Sequence, residues 1–67
     1  MDHSQFHELR ILINSYRLPN ETNVELINRI SQDHNLLAQI ASIAPTLNFN
    51  IGVVKQVITS DNFINQL

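Results

Sequence analysis

Three histidines, His3, His7 and His34, are the only imidazoles in the chain. His3 and His7 lie four residues apart, so on a helix they share one face. With Asp2 or Glu8 beside them they form the beginnings of a surface metal site. A working site needs a third or fourth ligand held in place. We expect instead two solvated imidazoles near a terminus, and no metal. Ser31, Asp33 and His34 supply the residue types of a nucleophile, an acid and a base. Residues one or two apart on a helix do not face each other, so this set does not assemble locally. A glycine-rich phosphate loop is ruled out, because Gly52 is the single glycine. A chain of 67 residues also struggles to wall off a pocket on the order of several hundred cubic ångströms. We therefore expect no catalysis, no cofactor and no small-molecule substrate.

Charge argues against a second class of function. The formal net charge is -2, and Arg10, Arg17, Arg29 and Lys55 are the only fixed cations. Nucleic-acid binders draw most of their affinity from phosphate neutralisation, which takes a basic stripe. Four scattered cations supply little of it. The nine Asn and five Gln are spread along the chain, so they do not form a prion-like tract.

Cysteine is absent, which removes disulfides and fits a reducing compartment. No apolar run approaches the roughly 20 residues that span a bilayer. The opening "MDHSQFHELR" is acidic and polar, unlike a secretory signal. The sequon at Asn20 to Thr22 therefore reads as unused. The polar face of the first amphipathic segment carries Asp2, Glu8 and Arg10 rather than the Lys and Arg of a membrane-surface helix. These features predict a soluble, intracellular, cytoplasmic protein.

The elements that must position these residues are helical. One Gly and two Pro are too few for a turn-rich β fold. Phe6, Leu9, Leu12, Ile13 and Tyr16 recur at three- and four-residue steps, predicting a helix from about Ser4 to Arg17 with Ser4 as cap. Pro19 ends it. "TNVE", Thr22 to Glu25, has the form of a capping box, so a second helix starts near Asn23. Val24, Ile27 and Ile30 point inward on it and Leu26 sits on the flank. Residues 31 to 35 are polar. Either they break the chain, with Asp33 capping the next helix, or the second helix continues through them. Leu36, Leu37, Ile40, Ile43, Ala44 and Leu47 suit a further helix. Pro45 would cost about 3 kcal/mol inside it, so it either kinks or ends near Ser42. Asn48 suits a helix-closing residue and Asn50 the cap of the next helix, Ile51 to about Thr59. Val54, Val57 and Ile58 face inward there. Its β-branched content keeps a strand as the alternative. Ser60 and Asp61 cap a last short helix bearing Phe63, Ile64 and Leu67. That tail either docks on the core or belongs to something longer.

The stretch "IAPTLNFNIGVVKQVI", residues 43 to 58, resembles the two-helix core of a helix-turn-helix. Ile43 and Ala44 stand as an apolar residue followed by a small one, and Leu47 ends the first helix. Asn48 takes the turn position, usually Gly. Phe49 is the buried turn residue, Asn50 the cap, and Val54 and Val57 the inward positions of the second helix. That resemblance implies DNA reading by Asn50, Lys55, Gln56 and Thr59. Lys55 would meet guanine or phosphate and Gln56 an adenine edge. Pro45 inside the first helix departs from the pattern, as does the missing arginine fork. The same stretch is similar to ubiquitin-associated domains. There "LNF", Leu47 to Phe49, stands where those domains carry an apolar-Gly-aromatic loop, with Asn48 in place of the Gly. That resemblance implies a loop that binds an apolar patch on a partner.

The expectation is an all-α bundle of four to five short helices around one core, with a helix-turn-helix-like pair at about residues 42–59. The core would centre on Leu9, Leu12, Ile13, Ile27, Ile30, Ile40, Ile43, Leu47, Phe49, Val54 and Val57. A domain this small buries only about 60% of its unfolded surface, so a dimer or a larger partner is natural support. We expect a protein-protein interaction module, a homodimer or an adaptor. Its contact surface would be Phe49, Ile51, Val53 and Lys55, with Phe63 and Leu67 at the tail. The helix-turn-helix DNA-binding regulator is the alternative.

Overall fold

In the computed structural model, which describes residues 3–43 and 50–67, every regular element is an α-helix. The five are α1 (His3–Asn14), α2 (Asn23–Ser31), α3 (His34–Ile43), α4 (Ile51–Ile58) and α5 (Asp61–Gln66). Local chemistry sets most of their boundaries. After α1 the chain bends through Leu18-Pro19-Asn20-Glu21, closed by the Glu21 amide donating to the Leu18 carbonyl at 3.1 Å. Asn20 has φ 66°, in the left-handed region that Asn tolerates. Pro followed by a positive-φ Asn suits a type II turn. The α2 capping box forms in full. The Thr22 hydroxyl accepts from the Glu25 amide, and the Glu25 carboxylate accepts from the Thr22 amide. Asp33 caps α3 by accepting from the Leu36 amide at 3.1 Å, Asn50 caps α4, and Ser60 caps α5.

The core consists of Leu9 and Ile13 from α1, Leu26, Ile27 and Ile30 from α2, Leu37 and Ile40 from α3, Val54 and Ile58 from α4, and Phe63 from α5. α3 packs on both α2 and α4, and α5 closes the bundle against α2 and α4. The expected all-α bundle around one core is what forms, and α3 and α4 form its packed pair.

Several finer expectations need correction. The first helix ends at Asn14 rather than Arg17, because the turn toward Pro19 begins there. The second helix does not run through residues 31 to 35. It stops at Ser31, and Asp33 starts α3. Val24, placed inside by its spacing, is 56% exposed, and Leu26, placed on the flank, is fully buried. α2 buries its Leu26, Ile27 and Ile30 edge, and it packs against α3, α4 and α5. Ile43, expected in the core, ends α3 and is 50% exposed. Leu12 and Val57 pack against the core without being wholly buried. The strand alternative for residues 51 to 59 fails: α4 occupies that segment. Leu47 and Phe49, with Ala44, Pro45 and Asn48, lie outside the described residues.

Candidate functional site

The exposed face of α4 carries most of the residues picked out from sequence. The Asn50 side-chain oxygen accepts from the Val53 amide at 2.9 Å, so it is committed to the helix start. The Thr59 hydroxyl donates to the Lys55 carbonyl at 2.7 Å, closing the helix end. Lys55 and Gln56 are exposed, with no side-chain hydrogen-bond partner among the described residues. Of the four residues proposed to read DNA, these two alone make no capping hydrogen bond with their side chains. Ile51 is half-buried against the core, while Val53 is exposed. At 3.6 residues per turn, Val53 and Lys55 fall at opposite edges of the outward face, with Gly52, Gln56 and Thr59 between them. The face is thus mainly small and uncharged.

The tail lies elsewhere than expected for a contact surface. Phe63 is 0% exposed and offers a partner no area in this conformation. Its ring meets Phe6 edge-on, with centroids 5.3 Å apart and an interplanar angle of 71°. Leu67 is half-buried against the core.

The end of α5 is held by a polar clamp that sequence reading did not find. The Asn23 side-chain amide donates to the Ile64 carbonyl at 3.0 Å. The Asn14 amide donates to the Leu67 main-chain oxygen at 3.2 Å, and Arg10 Nε to the Gln66 carbonyl at 2.7 Å. The last carbonyls of a helix lack partners within it, and here only that of Ile64 also accepts a backbone bond, from the Leu67 amide. Arg17 organises the clamp. Its guanidinium donates to the side-chain oxygens of both Asn14 and Asn23, which fixes which end of each amide faces α5. It also donates to the Glu21 carbonyl at 2.8 Å. The only sequence signal is the polar spacing of Arg10, Asn14 and Arg17, of which Arg17 lies beyond the end of α1.

Arg29 and Glu21 form the second polar cluster. The Arg29 guanidinium meets both carboxylate oxygens of Glu21, at 2.9 and 3.0 Å, and also donates to the Tyr16 carbonyl. Glu21 is pulled down to about 2 by the Arg29 hydrogen bonds first and the Leu18 amide second. Arg29 is correspondingly raised by Glu21. Glu25 is lowered by the Thr22 amide and then by the Thr22 hydroxyl. Arg10, Arg17 and Arg29 are thus all engaged within the fold.

The remaining candidate chemistry is dispersed. Arg10 donates toward His7 Nδ1 at 3.2 Å. No three His, Asp or Glu gather around a common point among the described residues. The Ser31 hydroxyl donates to the Asn28 carbonyl, Asp33 caps α3, and His34 is exposed. No helix among the described residues is long and apolar enough to cross a membrane. Comparison with family models, with curated proteins and with solved structures finds no match.

Proposed function

We propose that this chain is a small cytoplasmic protein-protein interaction module that uses the outward face of α4 and assembles first with a second copy of itself. The observation that carries this reading is the fate of the cations. Arg10, Arg17 and Arg29 hold carbonyls and a carboxylate of their own fold, leaving Lys55 as the one fixed cation without a partner among the described residues. A surface so short of available charge suits short-range apolar and amide contacts better than phosphate. Val53 on α4 and Ile43 at the end of α3 are exposed apolar side chains on the two helices of the packed pair.

The test is sedimentation velocity from micromolar to millimolar concentration on the parent chain, Val53→Glu and Ile43→Glu, with duplex-DNA anisotropy at low and physiological salt. Weaker self-association in both variants, with unchanged melting, supports the reading. Duplex binding that falls steeply with salt and disappears in Lys55→Ala would replace it with the DNA-binding alternative.

A further inference from the structure

We infer that α5 is an exchangeable element, and that two copies of the chain dimerise by swapping it. The inference takes from the interaction reading its choice of partner, a second copy, and places the dimer contact at α5 rather than on the outward face of α4.

It starts at one residue. Thr59, after α4, has φ -88° and ψ -2°, close to helical. Ser60 has φ -72° and ψ 145°, extended. Asp61 already begins α5. The bend between α4 and α5 therefore rests on the ψ of Ser60 alone. Rotating that angle to about -40° would continue the helix without interruption. Thr59-Ser60-Asp61-Asn62 has neither Gly nor Pro to forbid this, but its four residues are weak helix formers, so the fused helix would rest on the packing of the residues that flank them. The result is one helix over residues 51–66, about 24 Å long.

That helix could not close on its own core. Phe63 comes nine positions after Val54, and at 3.6 residues per turn it lies about 180° round the helix from it. Leu67 would fall on the same far side, at about 220° from Val54, while Ile64 at about 280° would stay on the flank beside Val57. With Val54 and Ile58 still seated in the bundle, the Phe63 stripe would project outward. The groove it left would expose Phe6 and the amides of Asn14 and Asn23. A second copy resolves both problems at once. Every contact of α5 with Phe6, Arg10, Asn14 and Asn23 can be remade by the same residues of the partner. Only the hinge differs between the closed monomer and the swapped dimer, which is why exchange of an identical element is an inexpensive route to a dimer.

The hinge also supplies the test, in the full chain. Asp61 is the first helical residue, where Pro is favoured, and Pro there holds the preceding residue near the ψ that Ser60 has in the monomer. In the fused helix the same Pro would sit in the interior, where it removes a hydrogen bond and clashes. Asp61→Pro should therefore keep the fold and weaken dimerisation by about a hundredfold or more. Ser60→Ala loses the cap of α5 and should strengthen dimerisation. Mixing isotopically distinct copies should give interchain contacts between the Phe6 and Phe63 rings. A dimer that lacks these contacts and ignores Asp61→Pro would overturn the swap and leave the α4 surface as the interface. Parent and Ser60→Ala chains that both stay monomeric at millimolar concentration would overturn it too.

Discussion

Arg17 and Glu21 show how single side chains organise this domain. Arg17 sets the orientation of two amides that then hold α5, so its planar fork matters more than its charge. Arg17→Lys should lower stability by about 1–2 kcal/mol. Hydrogen exchange should show the loss concentrated in the amides of α5 rather than spread evenly. Glu21 makes a pH prediction. Its carboxyl is held at about 2 in the fold, against 4.5 in the unfolded chain. A carboxyl depressed on folding stabilises above its unfolded value, and that contribution disappears as pH falls through the folded value. Melting temperature should stay level from pH 7 to about 5, then fall between about 4.5 and 2. Glu25 works in the same direction. Glu21→Gln should flatten that acid limb and lower the neutral-pH melting temperature. An unchanged acid limb in the variant would show that the Arg29 pair has no linkage to folding.

At the scale of the element, capping does more than propensity. α4 is only eight residues long and rich in β-branched side chains, so it is weak in isolation. Asn50 and the packing of Val54 and Ile58 hold it. Asn50→Ala should destabilise by about 1 kcal/mol, read from a denaturant midpoint. Gly52 offers the opposite change. It is exposed and helical, its φ is not positive, and an added Cβ would come no closer than 3.4 Å to the Asn50 side-chain oxygen. Gly52→Ala should therefore stabilise by up to about 1 kcal/mol. A loss instead would mean that the Asn50 cap moved to make room.

For the whole molecule, margins are narrow. A domain of this length has a folding free energy of about 3–10 kcal/mol. Phe63 is wholly buried, and truncating such a ring costs about 3–5 kcal/mol. Phe63→Ala should thus remove a large share of that margin, read as a lowered denaturant midpoint and melting temperature.

Helix content, order and most boundaries were legible in the sequence because they depend on neighbours three or four residues away. The Thr22–Glu25 box, the Asn50 and Ser60 caps and the Asp33 break are all of that kind. Legible too were Leu9, Ile13, Ile27, Ile30, Ile40 and Val54 as core, from their spacing. The candidate site was legible only in part. Lys55 and Gln56 emerged on an outward face, while Phe63, read as contact surface, lies in the core. Which edge of each amphipathic helix turns inward was decided by packing. Leu26 and Val24 exchanged roles in a helix that packs against α3, α4 and α5. The clamp on α5 joins Arg10 to Gln66 and Asn23 to Ile64, residues 56 and 41 apart in the chain. No local pattern encodes such pairs. Helix-end carbonyls accept a donor from any side chain that the tertiary fold brings near, so only the closed bundle selects Arg10, Asn14 and Asn23 for that task.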